Sequence, residues 1–225
     1  MPPQDKEQAR EGGLGMHYGF VAVPATVDRL VDEFPAIWPR YEVAQRATLP
    51  AMAAYLDWKR EHDRFVSARD WTPQNPGVEV YGFLQDGDWA VLLDASYTLA
   101  ADADALARLS AAFGRCVAFI VETSGGCVSF SAHVEGRLQR RIDNVNGEVS
   151  TEGAPLPEEA GLDVAAFHIS AAETLQALLG LGFLRSTQPT EVIAVATVDR
   201  TDYAALLLPP SPAAAPARKP WWKLW

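Results

Sequence analysis

Residues 115–143, RCVAFIVETSGGCVSFSAHVEGRLQRRID, carry the strictest pattern in the chain. Side chains of a strand alternate between two faces, so a hairpin register makes sense only if each face comes out chemically uniform. With the turn at Thr123–Gly126, Val117 meets Ala132, Phe119 meets Phe130 and Val121 meets Val128, a wholly apolar face. The opposite face then sets Cys116, Ala118, Ile120 and Glu122 against His133, Ser131, Ser129 and Cys127. Slipping the pairing by one residue mixes the two faces, so the pattern fixes its own register.

A third strand follows the turn at Glu135-Gly136. A two-residue loop would set Arg137, Gln139 and Arg141 against the core. A three-residue loop with a bulge near Gly136 instead turns Leu138 and Ile142 inward and is preferred. It leaves Gln139, Arg141 and Asp143 on the polar face with Ser129, Ser131 and His133.

The remaining segments extend this sheet and supply helices. HYGFVAV (17–23) reads as a strand, and Thr26 can cap a helix whose stripe is Val27, Leu30, Val31 and Phe34, broken by Pro35 and Pro39. Thr48 and Pro50 open a second helix to about Val66, with Met52, Tyr55 and Leu56 inward. Residues 70–77 are a loop. Val78–Asp94 is a hairpin about Asp86-Gly87, with Leu84 opposite Trp89, Gly82 opposite Val91 and Val80 opposite Leu93. Both its faces are apolar, the mark of covered strands. Asp102 and Asp104 favour a helix start, with Leu106, Leu109 and Phe113 as stripe and Gly114 as stop. Asn146-Gly147 signals another turn, and GAPLPEEAG (153–161) a loop with one helical turn. Ser170 and Glu173 form a capping box ahead of Leu175, Leu178 and Leu179, and Glu191–Val198 reads as a central strand. The expected fold is α+β: a mostly antiparallel, twisted sheet with helices packed on it. Residues 1–15 form a flexible leader, 16–208 a single domain, 209–220 a Pro/Ala linker and 221–225 an aromatic tail.

Charge narrows the partners. Up to residue 210 there are 16 basic and 29 acidic residues, a balance of −13, whereas 211–225 holds only Arg218, Lys219 and Lys223. An acidic body does not suit nucleic acid, whose phosphates need a basic footprint, and it does suit a basic protein partner. The polar start shows no signal peptide and no run is long enough for a membrane helix, so the chain is expected in the cytoplasm, without membrane contact. Two cysteines make neither a disulfide framework nor a zinc pattern. No phosphate-binding glycine loop, G-x-S-x-G or HExxH occurs. Glu61-His62-Asp63 cannot close on one ion, because neighbouring helical side chains diverge by about 100°. No metal and no cofactor is expected.

Two candidate sites remain. One is the polar face: Glu122, Ser129, Ser131, His133, Gln139 and Arg141. Within it Cys116 lies across from His133, a pair that could serve as nucleophile and base. The other is the tail WWKLW, whose Trp221, Trp222 and Trp225 form an anchor set for a partner or for the chain's own body. The segments DGDWAVLLD, LARLSAAFG, VAFIVETSGG, SFSAHVEGRLQRRI and GAPLPEE, within residues 78–160, resemble uncharacterised bacterial proteins grouped with the immunity proteins of polymorphic toxin systems. That resemblance implies a non-enzymatic α+β domain that binds a protein, and it carries no functional residues over. The expectation is a protein-binding protein, immunity-like or regulatory, of undetermined oligomeric state. The alternatives are a small enzyme using Cys116 and His133, or an adaptor acting through WWKLW.

Overall fold

The computed structural model describes residues 17–38, 41–66, 70, 72, 74–122, 124–185 and 192–199. Nine strands form one sheet: β1 (His17–Val23), β2 (Tyr41–Leu49), β3 (Val78–Asp86), β4 (Trp89–Leu93), β5 (Arg115–Glu122), β6 (Cys127–Val134), β7 (Arg137–Val145), β8 (Glu148–Gly153) and β9 (Val192–Asp199). Their order is β2-β9-β3-β4-β1-β5-β6-β7-β8, and every neighbouring pair is antiparallel. Among the described residues there are four α-helices, α1 (Val27–Ile37), α2 (Met52–His62), α3 (Ala103–Phe113) and α4 (Ile169–Leu178). The expected α+β architecture is the observed one. The leader, the linker and the aromatic tail lie outside the described residues, Trp221, Trp222 and Trp225 among them.

Strands buried on both faces need a layer on each side. On one face, Leu30, Val31 and Phe34 of α1 and Leu106, Leu109 and Phe113 of α3 pack over Val21, Phe83, Leu92 and Ile120. On the other, Tyr55 of α2 and Ala172 and Leu175 of α4 pack over Phe20, Leu84, Phe119 and Phe130. The rings of Phe20, Phe119 and Phe130 run across three adjacent strands at centroid spacings of 5.1 and 4.9 Å. Each such fully buried ring is worth about 1.5–3 kcal/mol over an exposed one.

The β5–β6 hairpin has the register read from its faces, Val117 opposite Ala132, Phe119 opposite Phe130 and Val121 opposite Val128. Asn146-Gly147 joins β7 to β8 with φ of 55° and 87°, the two positive values of a type I′ turn. Asp102 caps α3 by accepting from the amides of Asp104 and Ala105, and Gly114 ends it at φ 82°.

Several details differ from the sequence expectation. α1 continues past Pro35 to Ile37, because the last turn carries Ile37 and Trp38 into the core and the Trp38 amide still reaches the Phe34 carbonyl. Residues 41–49 form β2, an edge strand with only partial burial and so no clean alternation to read. α2 accordingly starts at Met52, with Tyr55 buried and Leu56 exposed. The β3–β4 turn falls on Gly87-Asp88, which moves the pairing by two residues to Leu84 opposite Val91 and Gly82 opposite Leu93. A shift of two keeps every side chain on its face. α4 begins two residues earlier than the Ser170 cap implies, with His168 as N-cap making no side-chain cap, and Leu178 points outward.

The largest correction concerns β7. The β6–β7 turn is the two-residue Glu135-Gly136, both at positive φ, and the extra residue is Gln139 inside β7. The bulge lies between the His133–Leu138 and Ala132–Arg140 pairs. It restores Ile142 to the core opposite Phe130, as expected, but leaves Leu138 on the His133 face and Gln139 exposed at the bulge. It also sends Arg140 to the apolar side. There Arg140 is buried and meets the carboxylate of Glu159 with two bonds, Nε to Oε1 at 2.9 Å and Nη2 to Oε2 at 2.8 Å. Arg140 Nη1 also donates to the Gly153 carbonyl, and Glu159 accepts the Leu156 amide. Removing one partner from such a pair leaves a buried charge uncompensated. Glu159→Gln is therefore expected to destabilise the fold by about 3–5 kcal/mol in urea unfolding, whereas Glu158→Gln, in the half-exposed pair with Arg115, should cost about 1 kcal/mol or less.

Candidate functional site

The polar row of β6 and β7 is not an open wet face. Ser129, Ser131 and His133 are all buried, because α3 and the segment leading into it lie over them. Between the two layers is a cavity of about 70 Å³. Its floor is Ser129, Ser131 and His133 of β6 with Ile120 of β5, and its edge is Leu138 and Arg141 of β7. Its roof is Ala100, Ala101, Ala103 and Leu106. Small alanines in the roof leave the gap that larger side chains would fill.

The roof is held by Asp94. This fully buried carboxylate accepts the amides of Leu99 and Ala100 through Oδ2, at 2.7 and 2.9 Å, and the Ser96 hydroxyl through Oδ1. The segment is pinned from below as well. A Cβ on Gly19 would come within 2.6 Å of the Asp94 carbonyl and 2.7 Å of the Tyr97 ring, and Tyr97 itself sits at φ 61°. Burial pushes the Asp94 carboxyl up to about 6, against the backbone amide of Ala100, which favours the charge, and with Glu79 reinforcing the rise.

Within the cavity the hydrogen bonding is unevenly spent. Asp143 uses both oxygens: Oδ1 accepts from Ser129 Oγ at 2.5 Å and Oδ2 from Arg141 Nε at 2.6 Å. His133 Nδ1 is buried and bonds to nothing among the described residues. Burial, helped by the Arg141 charge, lowers the His133 value to about 4, so the ring is neutral at pH 7. A neutral imidazole can present Nδ1 as donor or as acceptor.

Four of the six expected polar-face residues therefore meet in one place: Ser129, Ser131, His133 and Arg141 line the cavity. The other two do not. Gln139 is exposed at the bulge. Glu122 stands at the far end of β5, where it pairs with His17 at 2.7 Å and accepts the amide and hydroxyl of Ser124. The Ser124 hydroxyl holds its carboxyl below the usual range, which marks Glu122 as a turn-closing residue. The roof alanines, Asp94 and Leu138 were missed. Asp102 at a helix start was the one visible sign that an element would pass nearby.

Cys116 does lie across from His133 in the sheet. Its thiol is fully buried on the floor side and does not line the cavity, and burial pushes it far above the ordinary thiol range. Cys127 is raised as well, to about 11, by burial and then by Asp143. Both cysteines are free. Among the described residues no group of three or more His, Cys, Asp or Glu side chains is arranged to hold a metal ion, and no helix is long and apolar enough to cross a membrane. Comparison with protein-family models, with curated proteins and with solved structures gives no match for this chain.

The raised Asp94 value has a definite sign. A carboxyl whose folded value lies near 6 and whose ordinary value is 3.8 favours the fold when protonated. Its stabilising contribution is complete below about pH 4 and is lost as pH rises through about 6. Asp94→Asn keeps an oxygen for the two amides and cannot ionise. Relative to the wild type, Asp94→Asn should gain on the order of 2–3 kcal/mol between pH 4 and pH 7, read as the difference between two urea-unfolding series across that range.

Proposed function

We propose that this chain is a non-enzymatic protein-binding protein of the bacterial cytoplasm, immunity-like or regulatory, and that it receives its partner at the β6–β7 face beside α3. The observation that carries the reading is the cavity whose hydrogen-bonding groups are not used up by the fold. Buried polar groups are ordinarily paired, and an unpaired one costs roughly 1–3 kcal/mol. His133 lines a preformed recess and its Nδ1 has no partner among the described residues, which suits recognition of a group that arrives from outside. The chain as a whole is acidic, and a basic partner is its electrostatic complement.

The thiol alternative has the chemistry against it. A nucleophilic cysteine needs an accessible thiolate. Cys116 has neither access nor a lowered value, and its neighbour His133 is a weak base held near 4. Under native conditions at pH 7.5, Cys116 should resist iodoacetamide, with alkylation appearing by mass spectrometry only when the chain is unfolded. Rapid stoichiometric labelling of Cys116 in the folded protein would restore the enzyme reading.

Partner contact is tested with a photo-crosslinking amino acid at position 138, on the edge of the recess, and at position 60, on α2 of the opposite layer. The expected result is a discrete heteromeric adduct in cells from position 138 and none from position 60. Adducts of equal yield from both positions, or none from 138, would reject this face as the contact.

A further inference from the structure

Resting on the reading of this recess as a recognition site, we infer that the group it takes is a carboxylate on a short apolar stem, held by Arg141, Ser131 and His133. The argument is an inventory of what remains unspent. Arg141 Nε is bonded to Asp143, and among the described residues its two terminal nitrogens form no hydrogen bond. Among the described residues the Ser131 hydroxyl forms no hydrogen bond either, and His133 lines the recess with its Nδ1 unpartnered. These are donors, or groups free to act as donors. The Asp143 carboxylate, which meets the floor at Ser129, has both oxygens occupied, by Ser129 and by Arg141. A recess rich in donors and without a free anionic acceptor selects against cations and in favour of an acceptor. A planar guanidinium with two free nitrogens is the side chain best matched to a carboxylate.

Position and size restrict the ligand further. Ala103, the first residue of α3, is part of the roof, and a helix start favours negative charge nearby. The Asp102 carboxylate is already engaged by the Asp104 and Ala105 amides. At about 70 Å³ the cavity has room for a few heavy atoms only. Its other walls, Ile120, Leu106 and Leu138, are apolar. Propionate has that size and polarity, and so does the end of a glutamate side chain offered by a protein. On a body of net charge −10, an anion is admitted only where such local donors outweigh the overall field.

The test is an NMR titration of the full chain with 15N-labelled histidine, using propionate, propionamide and propylammonium as probes at constant ionic strength. The chain has four histidines, so the His133 ring can be assigned by its loss in His133→Phe. The expected result is a saturable shift of the His133 ring nitrogens with propionate, none with propylammonium, and propionamide weaker by at least about tenfold. Arg141→Gln should weaken propionate by about tenfold or more, and Ser131→Val, which fills the recess without touching the Arg141–Asp143 pair, should abolish the shift while the unfolding midpoint stays near that of the wild type. Non-saturating shifts, equal response to propionamide, or an unchanged affinity in both variants would overturn the inference. A second titration with a glutamate-containing tripeptide blocked at both ends separates the two sources. A response to propionate alone assigns a free small acid, and a response to both assigns a side chain of a partner. Because these probes need no partner, a crosslink from position 138 with no response to propionate would sink the carboxylate assignment and leave the partner reading standing.

Discussion

The middle strands of this sheet are apolar on both faces, and that single constraint dictates the layout. β5 is buried at six consecutive positions, so water must be excluded from its two sides at once. The chain meets this with α1 and α3 on one face and α2 and α4 on the other. Four helices of three turns or so cannot cover nine strands. They cover the middle, and toward both ends of the sheet the cover thins: β2 is only partly buried and β8 is almost wholly exposed. What happens at the margins of the covered zone is then decided by smaller devices, and the candidate site lies at one such margin, where α3 passes over β6 and β7.

One extra residue in β7 sets up that margin. Without the bulge at Gln139, an unbroken β7 paired from the two-residue turn would point Arg141 at the apolar layer and Ile142 at the cavity. With it, Ile142 joins Phe130 in the core, Arg140 finds Glu159, and Arg141 comes to the recess beside Ser131. The ion pair and the recess are thus two consequences of the same local irregularity. Bulges are common where a strand must re-aim a side chain, and this one re-aims two arginines to opposite sides.

Much of this was legible in the amino-acid sequence wherever a pattern was local. The β5–β6 register followed from the uniformity of its two faces, Asp102 and Gly114 bracketed α3, and Asn146-Gly147 made the last hairpin. The β3–β4 faces were readable although its turn was misplaced, since a shift by two residues preserves alternation. β2 was not legible because an edge strand with mixed burial has no period to detect. The bulge was anticipated in kind and misplaced by three residues. At its actual position it brings Arg140 to Glu159, a contact distant in sequence that no local pattern encodes. For the site, the sequence put Ser129, Ser131, His133 and Arg141 on one face, and could not foresee the roof. The roof exists because Asp94 gathers the Leu99 and Ala100 amides, a contact no periodicity encodes.

The three buried side-chain atoms without a partner among the described residues are not equivalent, and the contrast bears on the proposed function. Trp38 Nε1 belongs to a side chain enclosed by the α1 core, where the ring's apolar burial offsets the lost bond. Arg115 Nε belongs to a guanidinium that still reaches Glu158 through Nη2. His133 differs in lining the recess together with Ser131 and the partly exposed Arg141, and among the described residues its Nδ1 has no partner. Packing alone would be served as well by a leucine or phenylalanine here, since β6 already buries Phe130 and Ala132 on its other face. A polar residue kept at a cost, next to a gap that small alanines keep open, is the observation on which the proposed recognition role rests.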